Sequence, residues 1–307
     1  MRYLLALLVL SSSLFAGPPV EPGKRIMILG DSITNGAAYV AYVDAAMILA
    51  DPATKYDLIS AGLSSETVSG LSEPGHAGGK FPRPDLHERL DRALAKAKPD
   101  LVLACYGMND GIYMPLEESR FKAFRDGMTR LHNKVVATGA KIIHLTPPVY
   151  DPVAIPQRVD LSGEPGKNYA RYNEVLDRYS DWLVEQRKQG WEVIDLHTPM
   201  KAALEKGRAA DPKFVLAKDG VHPGDEGHRL MAQAVLDAWK IKTSAAEAGA
   251  KADFFKLVRE KTDVLKSAWL SAIGHKRPGV GPGLPLEEAT AKAAELDAKA
   301  RALASGK

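Results

Sequence analysis

Five short aliphatic runs punctuate the chain, and longer stretches of helical character separate them. The runs are RIMILG (25–30), YDLISAG (56–62), LVLACYG (101–107), KIIHLTPP (141–148) and WEVIDLH (191–197). Between them lie AAYVAYVDAAMILA (37–50), DLHERLDRALAKA (85–97), EESRFKAFRDGMTRLHNKVVATG (117–139) and NYARYNEVLDRYSDWLVEQRKQG (168–190). In the last of these, Tyr172, Val175, Leu176, Tyr179, Trp182 and Leu183 recur three and four residues apart, which marks one apolar helix face. Strands apolar along their whole length are covered on both faces, and strands joined through helices run parallel with right-handed crossovers. The pattern therefore predicts an α/β domain, with a parallel sheet between layers of helices. Such a sheet carries its site beyond the carboxyl ends of its strands.

The ends of the chain bound the rest. Residues 1–16 read as a secretory signal peptide: Arg2 is the positive start and Tyr3 to Leu10 form an apolar core, with Pro18-Pro19 barring a longer helix. That core falls short of the roughly 20 residues a membrane span requires. Leu14 stands where a small residue is preferred before the cut, and no cysteine lies nearby to take a lipid. The expected product is exported, periplasmic or extracellular, with no membrane span after signal cleavage. With 307 residues the chain has room for one sizeable core and an appendage. We expect the main domain over 24–241 and a helical C-terminal extension over 243–307. In that extension KTSAAEAGAKAD (242–253) reads as a linker or a weak helix, and Phe254, Val258, Leu265, Trp269 and Ile273 form a stripe. The stripe suits docking on the main domain, or a lid or partner-binding helix. A net charge of +3, scattered along the sequence, argues against nucleic acid as a partner. The single cysteine, Cys105, has no disulfide partner and sits in an apolar run, as a small buried hydrophobe does.

Four strand ends carry residues suited to chemistry. The first gives Gly30-Asp31-Ser32, the second Ala61-Gly62, and the third Gly107-Met108-Asn109-Asp110; beyond the last strand, KDGVHPGDEGH supplies Asp219 and His222. Each is weak alone, and Ser32 by itself could be an ordinary turn residue. Together they fit one reaction. A serine hydroxyl needs a base, and neutral imidazole fills that role near pH 7. His222 is the candidate base, and Asp219, three residues earlier, can hold its other ring nitrogen and stabilise the imidazolium. Attack on an ester puts negative charge on the carbonyl oxygen; the Ser32 and Gly62 amides and the Asn109 side chain are the candidate oxyanion donors. Glycine at 62 removes the Cβ that would block close approach.

From about Lys24 to Lys240 the chain resembles the SGNH hydrolase superfamily, the GDSL-type esterases and lipases. The resemblance maps Ser32 in GDS onto the nucleophile and Gly62 and Asn109 (in GMND) onto the oxyanion hole. It maps Asp219 and His222 in DGVH onto the rest of the triad. TPP after the fourth run and YNEVL in the next helix also suit the family. It implies a flavodoxin-like three-layer α/β/α sandwich with a five-stranded parallel sheet, in accord with the five runs. One departure stands out: asparagine is common two positions before the glycine, and this chain has Ser60. No G-x-S-x-G stretch marks an α/β-hydrolase elbow. Asp31 is expected to orient the Ser32 loop or cap its turn, and Asp110 to brace the Asn109 loop. His144 and His197, at strand ends, could line the pocket or serve structure. No histidine spacing suggests a metal and no phosphate loop is present, so no cofactor is expected.

The expected activity is hydrolysis of short-acyl esters, acetyl above all, on a small-molecule or glycan substrate. Export favours glycans, and loops such as LSSETVSG and GHAGGK are polar and small. Lysophospholipase or thioesterase activity is the alternative within the superfamily, and a non-catalytic secreted binding module the alternative outside it.

Overall fold

The computed structural model describes residues 17–162 and 166–306; the signal segment expected at 1–16 lies outside the described residues. In chain order the first half comprises β1 (Arg25–Gly30), α1 (Ser32–Asn35), α2 (Ala38–Ala50), β2 (Asp57–Ser60), α3 (Leu86–Ala97), β3 (Leu101–Cys105), α4 (Glu118–Ala137) and β4 (Lys141–Leu145). A two-stranded ribbon of β5 (Val159–Asp160) and β6 (Asn168–Tyr169) follows. Then come α5 (Asn173–Glu185), β7 (Glu192–Ile194), α6 (His197–Ala210), α7 (Asp225–Ala238), α8 (Ala245–Ala250), α9 (Ala252–Ile273) and α10 (Leu286–Ala304).

Five strands form one parallel sheet in the order β2-β1-β3-β4-β7. The chain winds outward from β1 to β2, then returns past β1 to start β3. That reversal between β1 and β3 is where an open α/β sheet leaves a crevice. Gly30 at the end of β1 lies opposite Cys105 at the end of β3, so the loops after both open on that crevice. Both central strands are buried almost throughout, as their unbroken apolar sequences require.

Helix α2 is buried from Tyr39 to Ile48 because α7, α8 and α9 enclose it; a helix covered on all sides can be apolar on all sides. Phe254, Val258, Trp269 and Ile273 of α9 join the main core. Arg92 Nε and Lys96 Nζ of α3 donate to the Ile273 and Ala272 carbonyls at 3.2 and 2.8 Å. Lys261, almost fully buried, sits between Asp44 of α2 at 2.7 Å and Asp297 of α10 at 2.8 Å. The segment from 242 is not a simple linker: α8 forms there, closed by a capping box of Ser244 and Glu247. Among the described residues, no helix is long and apolar enough to cross a membrane.

Two elements depart from expectation. The helix expected from 168 starts at Asn173, because Asn168 and Tyr169 pair with the other strand of the small ribbon. The chain after β7 turns directly into α6, where Thr146 Oγ1 accepts the Leu196 and His197 amides at 2.7 and 2.9 Å.

Candidate active site

Ser32 is the first residue of the short turn α1, immediately past β1. Asp31 caps that turn, its Oδ1 accepting the Ile33 amide at 2.9 Å. The turn is wedged against its neighbours. A Cβ on Gly30 would come within 2.8 Å of the Cys105 carbonyl oxygen, and one on Gly62 within 2.7 Å of the Thr34 backbone carbon. Asn35 Nδ2 donates to the Gly62 carbonyl at 2.9 Å, and Ser60 Oγ to the Thr34 carbonyl at 2.9 Å. Ser60, where the family often has asparagine, thus serves the same turn. On the far side Arg259 Nη2 of α9 donates to the Gly36 carbonyl at 2.6 Å, just past the end of α1.

His222 lies 190 residues away in sequence, with Nε2 2.8 Å from Ser32 Oγ. Its Nδ1 is 2.6 Å from Asp219 Oδ2, while Asp219 Oδ1 accepts the His222 and Val221 amides at 2.8 and 3.0 Å. Partial burial pushes the Asp219 carboxyl up, but these bonds outweigh it and hold it below its ordinary range. The carboxylate is therefore ionised at neutral pH, as an acceptor for imidazole N–H must be. Asp151 holds the same loop from beneath: its amide donates to the Gly220 carbonyl at 2.8 Å and its Oδ2 accepts the Leu216 amide at 3.1 Å. Arg208 pairs with its Oδ1.

The Ser32 and Gly62 amides donate to no acceptor among the described residues. Asn109 is buried, and its Nδ2 donates to the Glu66 carbonyl at 3.1 Å, leaving a second hydrogen available. Tyr113 O–H donates to its Oδ1 at 3.0 Å; the Glu66 carbonyl, which can only accept, fixes which end of the amide is nitrogen. Beneath these groups lies the buried Glu66–Arg89 pair, bonded at 2.6 and 2.7 Å. Arg89 Nη2 also holds the Ala61 carbonyl at 2.8 Å, next to Gly62. Asp110 ties the Asn109 loop to the next one: its Oδ1 accepts the Val68 and Ser69 amides at 2.9 and 2.8 Å, and its amide donates to the Gly107 carbonyl at 3.2 Å. Burial pushes Asp31 up to about 7 and Asp110 up to about 6, each against bonds from backbone amides; Asp110 adds to the rise at Asp31, while His222 and Arg83 oppose it.

The structure thus brings Ser32, His222 and Asp219 into one hydrogen-bonded chain, with the loops bearing Gly62 and Asn109 on the same sheet edge. His197 is buried against Asp177 and the Pro147 carbonyl, and His144 stacks on His132 and Trp191, so both are accounted for by packing. The His222 and Asp219 side chains are 48% and 49% exposed, so this side of the site is open to solvent. A cavity of about 900 Å³ lies elsewhere, lined by residues such as Pro18, Met47, Tyr56, Trp239 and Arg301, and holds none of these groups. Among the described residues, no three His, Cys, Asp or Glu side chains are grouped as metal ligands.

Sequence reasoning missed Glu66, Arg89, Asp151, Arg208 and Arg259. All support the site from behind. Charged residues in an amphipathic pattern look solvated until a fold buries them. The stretch VYDP, directly after TPP at a strand end, was the one visible sign that Asp151 lies near the site.

Comparison with known proteins bears on the family and the fold. The profile of the family described as the GDSL-like lipase/acylhydrolase family matches residues 28–230, more than half of the chain. Among solved structures, a variant of an acetylxylan esterase from Geobacillus stearothermophilus is 20% identical with a TM-score of 0.53; the match covers 72% of this chain and 95% of that one. A second variant of that esterase gives 20% identity and a TM-score of 0.54 over 72% of this chain and 97% of that one. A gut microbial diltiazem-metabolizing enzyme is 20% identical with a TM-score of 0.51, over 73% of this chain but only 48% of its own length. At these identities the likeness is one of fold. No curated protein matches the chain.

Proposed function

Because the chain belongs to the GDSL-like lipase/acylhydrolase family, we propose that it is a serine esterase acting through Ser32, His222 and Asp219. His222 Nε2 takes the Ser32 proton as Oγ attacks the ester carbonyl carbon. The new oxyanion is received by the Ser32 and Gly62 amides and by Asn109 Nδ2. His222 then returns the proton to the departing alcohol oxygen, leaving an acyl-serine. Water, deprotonated by the same imidazole, attacks that acyl group and releases the acid. Asp219 keeps Nδ1 protonated and stabilises the imidazolium throughout.

The observation that carries this reading is the continuous path Ser32–His222–Asp219 at 2.8 and 2.6 Å. Catalytic mutants of the acetylxylan esterase replace an aspartate, a serine and a histidine by alanine, the same three residue types. We take the substrate to be a short-acyl ester, acetyl above all, borne on a carbohydrate. A half-exposed imidazole suits an ester that projects from a larger molecule. The same reading takes the enzyme as exported, on the strength of the N-terminal sequence.

Ser32→Ala and His222→Ala should each abolish release of p-nitrophenol from its acetate ester while thermal unfolding stays cooperative. The parent should label with a fluorophosphonate and Ser32→Ala should not. Full activity in folded Ser32→Ala would refute the nucleophile. An acyl series from acetyl to palmitoyl, with acetylated xylan alongside, tests the substrate. Rates that climb with chain length, and no acetate from xylan, would favour a lipid ester instead.

A further inference from the structure

The loop between β2 and α3 carries a cation that the relay leaves unused. Arg83 is 8% exposed, and its Nε and Nη2 meet both Glu73 oxygens at 2.7 Å. Its own amide is fixed by Ser72 Oγ at 2.9 Å. The guanidinium lies over the Tyr113 ring, 5.4 Å from its centroid, and the Tyr113 hydroxyl holds Asn109. The backbone goes out of its way to make this contact. Ile112 and Tyr113 take φ of +47° and +56°, a left-handed conformation that a β-branched residue adopts only under constraint.

That leaves Nη1. It donates to no acceptor among the described residues, and it is not one of the polar atoms sealed from solvent. A guanidinium gripped bidentately and seated on an aromatic ring has lost its freedom already, so its free corner is a preorganised donor. Its surroundings define what it can bind. Glu73 cancels the positive charge at hydrogen-bond distance, so an incoming carboxylate or phosphate would meet a carboxylate as well as a cation. An uncharged oxygen meets only the donor. The acyl side of a simple ester offers no oxygen beyond the carbonyl, which the Ser32, Gly62 and Asn109 donors receive. A further oxygen near Asn109 must therefore come from the alcohol.

We propose that Arg83, through Nη1, binds an uncharged hydroxyl or ether oxygen on the alcohol portion of the ester, and so selects esters of polyols and sugars over those of plain alcohols. This rests on Ser32 as the nucleophile and deepens that reading by naming the group that recognises the leaving alcohol.

The test compares two acetates that differ in hydroxyl groups on the alcohol, glycerol monoacetate and ethyl acetate. In Arg83→Met the ratio of kcat/KM for the first over the second should fall about 10- to 100-fold, or about 1.4–2.8 kcal/mol at 1.4 kcal/mol per tenfold. Arg83→Lys, which keeps one donor but loses the fork, should lower the ratio by less, and it carries the comparison should the methionine variant not fold. A role in merely propping Tyr113 and Asn109 would slow both esters equally. A ratio within about threefold of the parent in the folded variants therefore overturns the proposal. If the parent cleaves neither ester and Ser32 takes up no fluorophosphonate, the nucleophile reading has failed and this proposal with it. Labelling of Ser32 with an unchanged ratio defeats Arg83 alone.

Discussion

Replacing Asp31 by asparagine should stabilise the protein increasingly as pH rises from 4 to 8. Burial pushes this carboxyl from 3.8 up to about 7, so between those values the folded chain holds a proton that the unfolded chain has released. Stability falls wherever the folded state binds the extra proton, here as pH climbs through that window, and is level above it. Three units at about 1.4 kcal/mol each give about 4 kcal/mol of penalty at pH 8. Asparagine carries no charge and can still cap α1 by accepting the Ile33 amide that Asp31 accepts at 2.9 Å. Urea unfolding of both proteins at several pH values supplies the difference in stability, in which titrating groups that do not interact with Asp31 cancel. That difference should be small near pH 4, grow through pH 6 and reach several kcal/mol at pH 8. A difference that does not change with pH would refute the reasoning, because it would mean Asp31 ionises in the folded chain as it does in the unfolded one.

Asn109→Ala should lower kcat by about 100- to 1,000-fold with little change in KM, the usual cost of one oxyanion donor; steady-state kinetics on an aryl acetate decides it. Lys261→Met would leave Asp44 buried without its cation, while Asp297 keeps Arg301 at 2.7 Å, and should cost about 3–5 kcal/mol in urea unfolding. Adding Asp44→Asn to that variant should recover part of the loss.

The sheet was legible because its strands are buried on both faces, so RIMILG and LVLACYG show as unbroken apolar runs. The candidate residues were legible because a parallel sheet delivers them at successive strand ends in chain order. Glu66 and Arg89 were not: HERLDRAL reads as an ordinary solvated helix face, and only the fold turns Arg89 inward to Ala61 and Glu66. The start of α5 was misplaced because a ribbon of two residues per strand leaves no periodic trace. Arg259 escaped notice for a different reason, since its partner is a backbone carbonyl 223 residues earlier, and no side-chain pattern records such a bond.

That last contact bears on how the protein comes into being. His222 follows Ser32 by 190 residues in the chain, and Arg259 follows Gly36 by 223. At about 5–20 residues per second, synthesis of that intervening stretch takes on the order of 10–45 s. On the proposed relay, a chain not yet extended to His222 has Ser32 without its base. A polypeptide stalled or clipped before α9 would lack the support at Gly36 even when the Ser32, Asp219 and His222 side chains were all present. On the proposed relay, the serine turn draws both its base and its backing from residues about two hundred positions further along the chain.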